Sequence, residues 1–466
     1  MLVRETQMNN PAKTFRDAPR CPGTLPRRAF LRNGIAGAAG LTLSGLLRAQ
    51  AVAEASSLAG PSDKAMIVLW LWGGASHMET FDLKPDAPLE YRGEFRPVRT
   101  NVPGIEISEH LPLLAGLADK LAIVRSLSHE SPGHVSSTHT LLSGYPGEAA
   151  EAPPFQPKHP DFWAVTSRML GERRPGVPAH VALPRIRYNG PAYLGGGLEP
   201  FVVTADPNAD NFQVANLSLN DVSPTRFSQR MTLLSQFDQV RREIDGRGLM
   251  SAMDVFDQKA VSLLTGTAAQ NAFDLGREDP KTRDRYGRHT VGQQCLLARR
   301  LVEAGSRLVS IDFPCVPGQK AFSWDDHASV WNIFEQMKIR LPVLDQIVSA
   351  LVQDIYDRGL SDKVLLVVTG EMSHTPRLSN FQGQPGREHW GRSMSMLMSG
   401  GGMRMGQVVG STNSKGEEPH TRPLAPNDLL ATWYRYLGIP VDTQLSDFAG
   451  RPTPIVPQGK PIDELV

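Results

Sequence analysis

The stretch "RLPVLDQIVSALVQDIYDRGLSDKVLLVVTGEMSH", residues 340–374, decides the fold class. Leu341, Leu344, Ile347, Val348, Leu351 and Ile355 recur at the spacing of one helical face. This predicts a helix over 340–358, stopped by Gly359. Residues 364–368 follow with no polar side chain. A strand without polar alternation is covered on both faces, as in a parallel sheet. The pattern repeats elsewhere. Residues 66–71, 121–124 and 308–313 read as strands, and 111–119 and 292–304 as helices. Strands alternating with helices predict an α/β protein, a three-layer α/β/α sandwich with a mostly parallel central sheet. Residues 146–230, rich in proline and carrying Gly195-Gly196-Gly197, read as long loops or a small inserted cap.

The first 53 residues are of another kind. Arg27-Arg28-Ala29-Phe30-Leu31-Arg32 precedes an uncharged stretch over 33–47, then the small-residue sites Ala49-Gln50-Ala51 and Ala51-Val52-Ala53. That order is a secretory signal. The paired arginines point to the twin-arginine route, the alternative being an uncleaved membrane anchor. Removing eight basic and two acidic residues with the signal leaves 41 against 46, a net charge of −5, so no basic face for nucleic acid is implied. No later apolar run is long enough to span a bilayer. Two cysteines remain, Cys295 and Cys315. They permit one disulfide, but Cys295 falls on an apolar helical face and reads as a buried thiol.

In open parallel sheets, ligands bind beyond the carboxyl ends of strands. Seven of the twelve histidines (His77, His129, His134, His139, His327, His374 and His389) follow four predicted strand ends, together with Asp325 and Glu371. Such a concentration suits a metal or acid–base site, against the plainer reading of a hydrogen-bonded loop layer. His134 and His139 are five apart, which does not stack two ligands on one helical face.

The segments "WLWGGASHMETFDLKPD", "SHESPGHVSSTHTLLSGYPG", "SWDDH", "TGEMSHTPR", "GREHWGRSMSMLMSGGG" and "DLLATWYRYLGIP", behind the twin-arginine signal, resemble in order a secreted bacterial family known as domain of unknown function 1501. That family is similar to a branch of the alkaline phosphatase and sulfatase superfamily. The resemblance implies an alkaline-phosphatase-like α/β/α domain over about 64–455 and metal-assisted hydrolysis of phosphate or sulfate esters. The sequence departs from the superfamily pattern. Gly73-Gly74 stand where a metal carboxylate is expected, His134 stands at the nucleophile position, and Glu371-Met372 replaces a late Asp-His pair.

The implied metal ligands are therefore His77, Asp325, His327, Glu371 and His389. This imidazole-rich set suits one zinc ion better than two hard cations. His134 and His139 would orient the nucleophile or act as acid and base. The nucleophile is left open between water, Ser136, Ser137, Thr138 and His134 itself. Arg377 or Arg387 would clamp the anionic oxygens of the substrate, unless they serve only in surface salt bridges. The expected partner is an anionic ester, including sulfated or phosphorylated polysaccharide, met in the periplasm or at the cell surface. The alternative is a non-catalytic envelope protein that binds polysaccharide or a protein partner.

Overall fold

The computed structural model describes residues 62–147, 152–214, Arg226 and 266–466. The expected signal over 1–53, and part of the expected insertion, lie outside the described residues. In chain order the strands that matter are β1 (Ala65–Trp70), β2 (Ala122–Leu127), β3 (His180–Leu183), β4 (Phe201–Val202), β5 (Leu308–Asp312), β6 (Val364–Thr369), β7 (Ser373–His374), β8 (His389–Trp390), β9 (Met394–Gly400) and β10 (Gln407–Val409). Eight of them form one sheet in the order β10-β2-β9-β6-β1-β5-β3-β4. Every neighbouring pair is parallel except the two that β9 makes.

All six β1 residues are buried, and successive side chains serve opposite faces. Ile67 and Leu69 pack with Leu296 of α3 (Thr290–Ala304) and Leu344 and Ile347 of α4 (Ile333–Asp357). Met66 and Val68 pack on the other side with Leu141 of α1 (His134–Ser143), Phe162 of α2 (Phe162–Leu170) and Trp433 of α5 (Pro426–Leu437). The protein is thus a three-layer α/β/α sandwich about a mostly parallel sheet.

Two sequence expectations change. Helix α4 begins at Ile333 rather than Arg340, because Asn332 caps it, its Oδ1 accepting from Phe334 N at 2.9 Å. The region read as loops contains α2 and β3, and β3 belongs to the central sheet, paired with β5. Cys295 and Cys315 are both free, and Cys295 is buried.

Two buried ion pairs pin the loops beyond the sheet. Arg340 Nη2 donates to Asp326 Oδ2 at 2.6 Å, and both side chains are 0% exposed. Arg387 is equally buried. Its Nε reaches both Glu79 oxygens at 3.2 and 3.0 Å, Nη2 reaches Glu79 Oε1 and the Tyr91 carbonyl, and Nη1 reaches the Thr375 and Pro376 carbonyls. Every donor of that guanidinium is spent inside the protein. The expectation that Arg387 clamps a substrate is therefore corrected: it is a structural cation.

Removing one partner of a buried pair strands the other charge. Arg387→Ala should lower the unfolding free energy in urea by about 3–5 kcal/mol, while Glu79→Leu joined to Arg387→Met should recover most of the loss. Equal losses in both variants would show that the pair is not what the loop depends on. A second expectation concerns His180, stacked 5.2 Å from Trp163 with Nε2 2.9 Å from Ser310 Oγ. Burial pushes its imidazole down to about 3. An unfolded chain protonates histidine near about pH 6.5, so the unfolded state takes the proton first. Stability is full above that pH and declines as pH falls toward 3, at about 1.4 kcal/mol per unit. His180→Gln should flatten this acid limb by about that slope in denaturant titrations; an unchanged slope would exclude His180 as its source.

Candidate metal centre

The carboxyl ends of β6, β1 and β5 lie side by side, and the chain leaves each of them through a loop that returns to one place. After β1 the backbone turns at Gly73 and Gly74, with φ of +106° and +85°. A Cβ on Gly73 would lie 2.5 Å from Asp325 N, and one on Gly74 2.4 Å from the Met372 carbonyl. Only glycine lets these loops approach so closely. Gly73 N donates to Glu371 Oε1 at 2.9 Å, which fixes that carboxylate just beyond β6. Strand β2 leads to α1, which begins at His134. The excursion between β6 and β9 folds back on itself, and the β7–β8 ladder sets His389 opposite His374.

Four imidazoles meet at one carboxylate, that of Asp325. His327 Nε2 lies 2.8 Å from Oδ1 and His374 Nε2 3.1 Å from it. His134 Nε2 lies 3.2 Å from Oδ2. His389 Nε2 lies 3.2 Å from Oδ1, yet it forms no hydrogen bond and is buried without a partner. His134 Nδ1 is also 2.8 Å from Glu371 Oε1, and His327 Nδ1 pairs with Glu388 Oε2. Ligand atoms of His134, Asp325 and His389 all lie within 4.8 Å of one another.

The electrostatics follow from that geometry. Burial would raise the Asp325 carboxyl, but the His134, His327, His374 and His389 rings set against it hold it far below the usual carboxylate range. Burial opposes charge on His134, yet its bonds to Asp325 and Glu371 raise it to about 10. The hydrogen bond to Asp325 raises His327 to about 9 against burial. Glu371 Oε2, His374 Nδ1 and His389 Nε2 are buried with no partner. His134, Asp325 and His389, with the partnerless His389 Nε2 among their ligand atoms, form a donor set that could hold a metal ion.

Of the residues singled out in the sequence, His134, Asp325, His327, Glu371 and His389 come together, while others do not. His77 is fully buried, with Nδ1 2.7 Å from Ser373 Oγ and Nε2 2.8 Å from the Gly416 carbonyl. Burial pushes it down to about 4, and neither nitrogen is left for a metal. It is a structural histidine rather than a ligand. His139 faces the other side of α1, with Nδ1 3.0 Å from the Tyr145 carbonyl. Ser136 Oγ closes the start of α1 with Gly133, accepting from its N–H at 3.2 Å, so it is corrected from nucleophile to cap. Arg377 is exposed on the loop after β7, and no ion pair among the described residues ties it to the cluster. His374 and Glu388 join the cluster beside the expected residues, His374 on Asp325 and Glu388 on His327. The signal was present for both: they stand three and seventeen residues after Glu371, in the same glycine-bounded excursion.

Residues 63–466 match a family described as "Protein of unknown function (DUF1501)". No curated protein matches the chain. Similar solved structures include the PsFucS1 sulfatase from Pseudoalteromonas sp., at 12% identity and TM-score 0.35, covering 81% of this chain and 68% of that one. Another is the phosphonate monoester hydrolase SpPMH from Silicibacter pomeroyi, at 11% identity and TM-score 0.37, covering 86% and 76%. A third is the C-terminal periplasmic domain of EcEptC from Escherichia coli in complex with Zn, at 11% identity and TM-score 0.34, covering 81% and 83%. Overlaps this loose transfer no residue roles. The family match spans nearly all the described residues, and on that ground the protein belongs to the DUF1501 family.

Proposed function

We propose that donors drawn from Asp325, His134, His327, His374 and His389, with Glu371 behind them, hold one divalent transition-metal ion, zinc fitting best. With it, the exported protein hydrolyses phosphate or sulfate esters, including those on polysaccharides. One observation carries this reading: four imidazoles from separate segments are aimed at a single carboxylate. Histidines with purely structural duties are satisfied one by one, as His77 is by Ser373 and Gly416, and His129 by the Glu371 carbonyl. Such an ion supplies Lewis-acid polarisation of an ester oxygen and of water.

The chain's own residues supply the rest. Glu371 orients His134 through Nδ1. Glu388, partly exposed and paired with His327 Nδ1, orients that ring in the same way. Ser136, Ser137 and Thr138 hydroxyls are held by Gly133, Ser131 and His134 main-chain groups, which leaves water as the nucleophile. Those committed hydroxyls also favour one other reading, a non-catalytic envelope protein that binds polysaccharide or a protein partner at the same centre.

Elemental analysis of the purified mature protein should find about one zinc per chain. Asp325→Ala and His389→Ala should lose it, and turnover of 4-nitrophenyl phosphate or sulfate should fall by about 100-fold or more. Bound metal without turnover on either ester would favour the binding reading. A folded wild-type chain with no metal would sink both. Export rests on the paired arginines of the leader, so Arg27→Lys with Arg28→Lys should hold the protein in the cytoplasm on fractionation; undiminished export of that variant would remove the twin-arginine route.

A further inference from the structure

Strand β3 ends at the same edge of the sheet as β5, with Leu183 paired to Ile311. Two arginines follow it, Arg185 and Arg187, and both turn toward Asp312 at the end of β5. Arg187 Nε lies 3.0 Å from each Asp312 oxygen and Nη2 2.8 Å from Oδ2. Its guanidinium carbon stands 3.6 Å from the centre of the Trp72 ring. Trp72 in turn lies against His134, ring centres 6.1 Å apart. Asp312 is close enough to Glu371 to feel its charge. Arg185 approaches the same carboxylate at 3.8 Å, and its side chain is 59% exposed. This unit therefore stands beside the cluster, with Trp72 between Arg187 and His134.

The charges do not cancel. Two guanidiniums face one carboxylate. Among the described residues, Arg187 Nη1 and all three nitrogens of Arg185 make no hydrogen bond. Arg187 is fixed in orientation by an aromatic face and a bidentate acid, so little side-chain freedom is lost when its remaining edge binds. Arg185 reaches into solvent beside it. A planar donor fork of this kind matches the oxygens of a tetrahedral oxyanion. The arginines expected for this task from the sequence are placed elsewhere, Arg387 inside an ion pair and Arg377 on an outer loop.

We propose that Arg185 and Arg187 are the oxyanion-recognition pair of this protein, gripping the non-bridging oxygens of a phosphate or sulfate group presented to the neighbouring cluster. The proposal rests on reading that cluster as a metal centre. Arg187 is the preorganised member and Arg185 the mobile one.

The test uses the full mature chain loaded with zinc, with metal content measured on every sample. Calorimetric titration with inorganic phosphate and, separately, inorganic sulfate reports oxyanion affinity without turnover. Arg185→Gln should weaken binding of the preferred anion by about tenfold, and Arg187→Lys by at least as much, because an ammonium cannot reproduce the fork. Zinc content should stay at the wild-type value in both. The anion that loses more affinity identifies the ester class. Arg185 is exposed, so its variant also guards against a folding defect in the other. If the wild type holds zinc and both variants bind phosphate and sulfate within twofold of it, the pair is not the recognition element, although the metal reading stands. If the wild type holds no zinc, the metal reading falls and this proposal with it.

Discussion

The carboxylate of Asp325 draws four imidazoles to itself, and the surrounding loops are built to let them approach. Imidazoles that are all charged would repel one another, and a buried carboxylate with no cation would be expensive. Against burial, the acids at their ring nitrogens raise His134 to about 10 and His327 to about 9. A metal ion at such a cluster would take up nitrogens only as protons leave them, so its occupancy and the protonation of the rings would be one equilibrium.

A parallel sheet makes such a meeting possible, because its strands end at a common edge. Here β6, β1, β5 and β3 are adjacent and deliver Glu371, the Gly73-Gly74 turn, Asp312 and the arginines of 185–187 in order. Strand β9 does something different. It runs antiparallel to β2 and β6, so its start, not its end, lies at the site edge. His389 can therefore reach the cluster by preceding a strand. The triple glycine at the far end of β9 belongs to the opposite edge and has no part in the site.

The architecture was legible wherever hydrophobic period was strong, as in α4 and the uninterrupted apolar strands. It was illegible at β3, a strand of four residues surrounded by prolines, where no period can develop; Arg185 and Arg187 went unnoticed with it. Site residues were legible as a class but not individually. Sequence shows a histidine after a strand end. It does not show whether a serine hydroxyl or a backbone carbonyl already occupies both ring nitrogens. That difference separates His77 from His374. For arginine the same holds: Arg387 stands in a motif rich in candidate ligands, but Glu79, 308 residues away, consumes it.

The placement of the two buried ion pairs argues that they serve the site more than the core. A buried pair is often no more stabilising than apolar side chains of the same volume. Arg340 holds Asp326, the immediate neighbour of Asp325, and Trp331 Nε1 donates to the same carboxylate at 2.7 Å. Arg387 precedes Glu388 and His389, and grips the start of the returning loop through Thr375 and Pro376. Each pair therefore fixes the backbone within two residues of a side chain in the cluster. Apolar contacts would bury as much area but leave those loops free to slide, whereas Arg387 grips Glu79 through Nε and Nη2 together and Arg340 ties Asp326 to the Ser323 carbonyl. A centre assembled from four loops needs that angular constraint, since the ladders of the returning loop, β7 with β8 and Ser379–Phe381 with Gln384–Gly386, are only two and three residue pairs long.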